Sequence, residues 1–434
     1  KAREGSGFAV RSERLSASRA ADAMHLTLPK GFIVPCALLL LVASGWLAGA
    51  DAASASIFSV TSPNARSTTA AVVVNGSCDE RVCMRPNCSC ESDQPPAGLR
   101  PSQVPQFVTL TFDDAVNVGN MAFYRELLNG TRKNKNNCRI AATFFVSHEY
   151  TDYEAVNQLY SWGNEIALHS ISHRTDSAYW QTINTTQWER EVAAQKEMME
   201  TFANVPASNV TGVRGPFLYT GGDDGFRMLQ KHFRYDCTLV HRRERDHENP
   251  AYPYTMDYGF RRNCMVWPCP KDTYAGLWVV PMNVLFKERQ GQDSPCAMAD
   301  ACLPQPLTAD DTFDYLRSNF EYYYNRSRAP FPLFLHEAYL RHPGRKQGYL
   351  QFVDWLLTKD DVYLVTITEM LRYMQNPLPL TTYAQQACPT AQQSTCTKPK
   401  TCTYKNTSLG GDRYMRTCSR CPRNYPWVGN PMGI

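Results

Sequence analysis

Residues 107–114 read FVTLTFDD, and the fold is decided here. Phe107–Phe112 has the alternation and the β-branched and aromatic content of a strand. It ends in two adjacent carboxylates, Asp113 and Asp114. Paired acids at the end of an apolar strand are costly unless something uses them. In an α/β barrel that end of a strand is where active sites sit. Taken alone, a strand-terminal Asp-Asp is more often a helix cap or a turn, so the pair needs support from elsewhere in the chain.

Working outward, further strands are predicted at Ala141–Val146, Glu165–His169, Gly212–Arg214, Tyr235–Leu239, Leu277–Pro281, Leu333–Leu335 and Tyr363–Thr366. Helical patterns fall at Tyr153–Trp162, Thr186–Ala203, Ala309–Tyr324 and Tyr349–Leu357. Thr185 or Thr186 is placed to cap the second, and Thr308 caps the third. Strand–helix alternation on this scale predicts an α/β fold, either a barrel or a wound sheet. No internal repeat is visible.

The flanks read differently. Residues 1–23 are assigned no structure. Residues 24–52 read as a signal peptide: Met24, a basic Lys30, the apolar run FIVPCALLLLVA at 32–43, then A-x-A sites at 48–50 and 50–52. The run is shorter than the ~20 residues of a membrane span, and no later segment is long enough. Residues 53–77, rich in Ala, Ser and Thr, read as a flexible leader. Residues 78–104 form a cysteine-rich extension pinned by disulfides, and 381–434 a cysteine-rich tail held by bridges rather than by a core. The domain between them spans 105–380.

Composition narrows the setting. The 434 residues carry a formal charge of +4, with 43% hydrophobic and 20% charged residues. That is a globular balance, and no face concentrates Lys and Arg in a way that suggests nucleic acid. Sixteen cysteines are present, and setting aside Cys36 in the leader leaves fifteen. Such density belongs to an oxidising compartment, and the spacing fits no Cys₄ zinc site. Sequons at Asn75, Asn87, Asn129, Asn184, Asn209, Asn325 and Asn406 point the same way. Short loops predict local bridges Cys264–Cys269 and Cys296–Cys302. An odd count leaves one thiol over, and Cys237, in an apolar strand, is assigned to it as a small buried hydrophobe.

The support that Asp113-Asp114 needs comes from His169-Ser170-Ile171-Ser172-His173, directly after the apolar NEIAL. Histidines four apart present two imidazoles on one side of a turn. One carboxylate and two imidazoles make three ligands with a fourth position open, the pattern of a catalytic metal site, and the second Asp is then free to serve as base.

Four motifs appear in order: TFDDAVN at 111–117, HSISH at 169–173, RGPF at 214–217 and LFLH at 333–336. They resemble the first, second, third and fifth motifs of the polysaccharide deacetylases, carbohydrate esterase family four. FFVSHEYT at 144–151, YPYTM at 252–256, CAMADAC at 296–302 and the tail CPRNYPW at 421–427 resemble the arthropod chitin deacetylases that lack a separate chitin-binding module. The resemblance runs from about residue 78 to 434. It implies a distorted, incomplete (β/α) barrel, with 105–380 as its catalytic domain. Asp114, His169 and His173 are then metal ligands, for zinc or another divalent ion such as cobalt. Asp113 is the catalytic base, Arg214 orients it, Phe217 lends a backbone N–H to the oxyanion hole, and His336 is the general acid. The implied substrate is chitin or its oligomers, and the oligomeric state is left open. Two rivals stand beside this reading: a deacetylase of another polysaccharide, and a non-catalytic chitin-binding matrix protein. One departure is plain. The fourth motif usually holds two acids, the second tuning the catalytic histidine; here Asp236 matches the first, but Leu239 replaces the second and Tyr252 replaces a Trp.

Overall fold

Apolar segments long enough to be buried on both faces favour parallel strands, and FVTLTF forms an interior strand of such a sheet. A computed structural model of the chain describes residues 77–434 apart from 290 and 391. The expected signal peptide, the residues upstream of it and all but the last residue of the leader lie outside the described residues.

Nine strands build the main sheet: β1 (Gln106–Asp113), β2 (Ala142–Val146), β3 (Glu165–Leu168), β4 (Gly212–Val213), β5 (Tyr235–Asp236), β6 (Tyr254–Met256), β7 (Tyr274–Val279), β8 (Phe331–His336) and β9 (Val362–Leu364). The pairing path runs β8-β1-β2-β3-β4-β5-β7-β6, with β9 also on β1. Every pair is parallel except β6 with β7. No ladder joins β6 to β8 among the described residues, so the sheet is open, as an incomplete barrel requires. The α/β class stands.

All eight residues of β1 are buried. Along it, side chains alternate between faces. Phe112 packs against Phe123 and Tyr124 of the helix Val118–Leu128, Phe144 of β2 and Tyr349 of the helix Pro343–Leu356. Thr111 and Asp113 point to the other face. The crossovers put the carboxyl ends of β1, β3, β4 and β8 on one rim.

Several expectations need correction. The strand predicted at Tyr235–Leu239 stops at Asp236, whose Oδ2 accepts the N–H groups of Thr238 (2.9 Å) and Leu239 (3.1 Å) and turns the chain. The helix predicted at Thr186–Ala203 is split into Thr185–Trp188, a π-helical turn Glu189–Ala193, and Gln195–Ala203. Its cap is Asn184, whose Oδ1 accepts Gln187 N–H at 3.0 Å, rather than either threonine. Five α-helices went unpredicted: Val118–Leu128, Gly222–His232 and Ile367–Gln375, and the short Ser177–Thr182 and Leu380–Tyr383. The helix expected from Tyr349 starts earlier, at Pro343, where a proline suits the first helical position.

The cysteine expectations hold where the structure describes them. Cys264–Cys269 and Cys296–Cys302 are bridged, and Cys237 is a buried free thiol. Cys78–Cys90 and Cys83–Cys88 close within the N-terminal extension. Cys138–Cys388, Cys396–Cys418 and Cys402–Cys421 secure the tail. The tail is more than bridges, however. It folds an antiparallel hairpin, Lys400–Tyr404 with Arg413–Thr417, and Tyr404, Met415 and Tyr425 join the main apolar core. No described helix is long and apolar enough to cross a membrane.

Candidate active site

The rim collects the residues singled out in the sequence. Asp113 ends β1 and faces His336 of β8 across the ladder. Its Oδ1 accepts a hydrogen bond from Arg214 Nη1 at 2.6 Å, while Oδ2 lies 4.0 Å from His169 Nε2. One oxygen is therefore tied and the other is left open. Arg214 is fully buried, with its guanidinium 4.1 Å from the Phe145 ring and 4.3 Å from that of Phe334. It also donates to Thr111 Oγ1 (3.1 Å), to the Cys237 carbonyl (2.9 Å) and to Cys237 Sγ (3.0 Å). Four of the five donors of the planar fork are engaged by partners that hold it still. Cys237 is thus more than filler: its sulfur is one of the atoms fixing the arginine, and burial pushes its thiol up to about 12.

Asp114 leaves the strand at φ 80°, a conformation in which Asp is one of the tolerated residues. Its Oδ1 lies 3.4 Å from His173 Nε2 and 3.9 Å from His169 Nε2, and the two imidazole nitrogens are 3.2 Å apart. A tetrahedral cation with bonds of about 2.0–2.2 Å keeps its donor atoms about 3.3–3.6 Å apart. These three atoms fit such an ion with small adjustments. His169 Nδ1 stands 2.7 Å from the Arg214 carbonyl, which can only accept, so Nδ1 carries the proton and Nε2 offers its lone pair. Burial, against the pull of the Asp113 charge, takes this imidazole down to about 4, which keeps it neutral and ready to ligate.

The loop between the histidines is anchored from below by a residue absent from the sequence reading. Glu191, fully buried in the π-helical turn, accepts from Ser172 N (3.0 Å), Ser172 Oγ (2.7 Å) and Tyr179 OH (2.8 Å). Its backbone carbonyl accepts from Ile171 N at 2.8 Å. π-turns of this kind often mark functional sites. The signal was present as an acid in an otherwise ordinary helical pattern, too weak to separate from a solvated face.

His336 closes the opposite edge, its Nε2 3.9 Å from Asp114 Oδ2. The acid missing at Leu239 is supplied by Asp300, whose Oδ2 accepts from His336 Nδ1 at 2.7 Å and from His336 N at 2.9 Å. Asp300 rides in the loop closed by Cys296–Cys302, which is pinned to β8 by Ala299 N donating to Phe334 O at 2.7 Å. Burial lowers the affinity of this imidazole for a proton. The Asp300 bond and the carboxylates of Asp113 and Asp114 outweigh that and hold it up at about 9. Asp236, the acid matched to the fourth motif, spends its carboxylate on the turn after β5 instead.

Phe217 sits at φ 53° and is 47% exposed, its ring 4.9 Å from that of His173. Its backbone N–H meets no acceptor among the described residues. Asp113, Asp114, His173, His336, Tyr150 and Arg341 line a cleft of about 400 Å³.

With this geometry in place, comparison with known proteins is informative. A family model described as polysaccharide deacetylase matches residues 101–223, which hold the carboxylate pair, both histidines, Arg214 and Phe217. Chitin deacetylase 8 of Bombyx mori is 42% identical over 365 residues, 82% of this chain and 93% of that protein. This chain belongs to the polysaccharide deacetylases. Chitin deacetylase 1 of the same organism is 36% identical over 374 residues, 82% of this chain and 68% of that one. Among solved structures, a family 4 carbohydrate esterase from Streptomyces lividans in complex with acetate is similar at 12% identity and a TM-score of 0.33. The match covers 59% of this chain and 91% of the esterase. As a polysaccharide deacetylase the chain needs a water-activating base, a carbonyl polariser and a proton for the departing amine. The rim of β1, β3, β4 and β8 holds candidates for each.

Proposed function

We propose that this protein is a secreted deacetylase that hydrolyses the N-acetyl groups of chitin or its oligomers, releasing acetate and leaving the free amine. The observation that carries the reading is the flanking of the triad. Asp113 Oδ2 stands 4.0 Å from His169 Nε2 and His336 Nε2 stands 3.9 Å from Asp114 Oδ2, so a base and an acid each adjoin a different member of the set. A protein that only binds polysaccharide has no use for both. Two relatives that are chitin deacetylases by name support the choice of substrate.

Asp114, His169 and His173 would hold the cation, and two imidazoles with one carboxylate suit zinc, with cobalt a workable substitute. When bound, the cation supplies positive charge that acidifies the attacking water and polarises the amide carbonyl. The protein does the rest. Asp113, its Oδ1 fixed by Arg214, takes the proton of the water on Oδ2 as the oxygen attacks the carbonyl carbon. The Phe217 N–H, left without an acceptor among the described residues, donates to the oxyanion of the tetrahedral adduct. The C–N bond then breaks, and His336 passes its Nε2 proton to the nitrogen, since an amine leaves poorly without one. Asp300 keeps Nδ1–H engaged, so that the donating proton is on Nε2.

Export is supported by the leader in the sequence and by seven disulfides. The sequon asparagines Asn87, Asn129, Asn184, Asn209, Asn325 and Asn406 are all exposed. The assignment is tested by following acetate release from chitin oligomers before and after chelation. Activity that ends with chelator and returns with zinc is expected; chelator-resistant release, or none with metal supplied, overturns it.

A further inference from the structure

The turn after β2, residues 147–151, takes no part in the chemistry above, yet it reaches the same cleft. Its tip is Tyr150, which lines the cleft beside His173 and His336 and is 67% exposed. Its φ is 67°. A bulky aromatic in the left-handed region is strained, and such strain persists only where the surroundings impose it. The phenol hydroxyl makes no hydrogen bond among the described residues, so the ring is not held out for the sake of its own polar group.

What imposes the conformation is the chain around it. Thr151 N donates to His148 O (3.0 Å), and Thr151 Oγ1 donates to Ser147 O (2.6 Å). The turn is stitched to the carboxylate loop by Val116 N to Thr151 Oγ1 (3.3 Å) and to the histidine loop by His148 N to Ser170 O (3.2 Å). Behind it stands the C-terminal tail. The buried His148 ring lies 4.9 Å from Tyr425 and 5.9 Å from Trp427, and its Nε2 donates to the Pro426 carbonyl at 2.9 Å. Arg413 of the tail hairpin pairs with Glu149 at 2.9 Å.

We propose that Tyr150 is a platform on which a sugar ring of the polymer, next to the one being deacetylated, stacks its apolar face. A pyranose ring presents C–H groups on its faces and hydroxyls at its edge. A flat, exposed aromatic beside the reacting groups can bury the first without desolvating the second. This inference rests on the polysaccharide reading above. It goes further by naming a residue that recognises the polymer beyond the acetamide.

The test measures binding of chitotetraose by calorimetry to the full mature chain, zinc-loaded, in an Asp113→Asn background that prevents turnover. Tyr150→Asn removes the ring with a residue that tolerates φ > 0, so its thermal midpoint should be at or above that of the parent. Its Kd for the tetraose should rise about ten-fold, equivalent to about 1.4 kcal/mol, while Tyr150→Phe should stay within about two-fold. Equal affinity in the Asn variant, loss in both variants alike, or no binding by the parent overturns the inference. Acetate release by the unsubstituted enzyme is read separately. A protein that binds the tetraose through Tyr150 yet releases no acetate defeats the deacetylase reading and leaves the platform standing.

Discussion

Asp113 spends one oxygen on Arg214 and keeps the other open, and that asymmetry sets how its role can be probed. Replacing it with Ala would strand a buried guanidinium, a loss of about 3–5 kcal/mol that would confuse the result. Asp113→Asn keeps an acceptor for Arg214 and removes only the basic oxygen. Turnover should fall about 10²–10⁴-fold with zinc content unchanged, whereas His169→Ala should lose the metal; acetate release and metal analysis on the same samples decide it. His336 gives a second prediction. Its imidazole must be protonated to act, and its folded value is raised to about 9. Activity should therefore fall as pH climbs through the alkaline limb. A bound cation offsets the help that Asp113 and Asp114 give, leaving Asp300 as the main support. In Asp300→Asn the limb should move to lower pH, by an amount read from kcat against pH, and an unmoved limb would rule out Asp300 as the support. The linked stability runs the same way, because a raised histidine stabilises the fold below its unfolded pKa and the gain is lost as pH rises through about 9.

At the scale of elements, the π-helical turn Glu189–Ala193 and the histidine loop behave as one unit. Glu191→Ala would orphan the Ser172 and Tyr179 donors, at about 1–3 kcal/mol for each buried group left unpaired. Because the loop also orients His173, zinc affinity should drop about 10–100-fold. A competition titration with a chelating dye measures this alongside thermal unfolding, and full affinity in a destabilised variant would show the glutamate to be structural only. The elements also show why some of the chain could be read and some could not. β1, β2 and β8 were visible as apolar runs because both faces are buried. The helix Gly222–His232 was hidden by GGDDG at 221–225, which has turn composition. Gly225 is there for a different reason: a Cβ would lie 1.9 Å from the Thr220 carbonyl oxygen. Asp236 and Leu239 were assigned to one strand because nothing local reveals that the aspartate will cap its own turn.

Across the molecule, the site residues that could be read were those carried by contiguous motifs: Asp113-Asp114, His169 with His173, Arg214 with Phe217, and His336. Asp300 could not be read, since its partner lies 36 residues away and the contact exists only once the Cys296–Cys302 loop docks on β8. Cys237 was assigned correctly as the unpaired thiol, but its bond to Arg214 depends on β4 and β5 lying side by side. Seven bridges and that one buried sulfur make a further prediction. Alkylation of the mature native protein should label nothing within residues 77–434, and unfolding without reductant should expose a single thiol at Cys237, identified by peptide mapping. Rapid native labelling, or a bridge to Cys237, would refute it.

Asp113 and His336 face each other across one backbone ladder, on a strand bonded to three neighbours at once. The span between the backbones that carry proton acceptor and proton donor is consequently gauged by main-chain hydrogen bonds, as if by a jig, while Arg214 and Asp300 set how the two side chains are turned. Two things follow. Warming should not slacken this backbone span ahead of the sheet, so any earlier loss of activity on heating would start in the loops that carry the histidine pair or Asp300. And the exposed tip of the 147–151 turn is free to change, retuning which polymer is gripped, while 296–302 is held to its place by the Asp300 bond to His336.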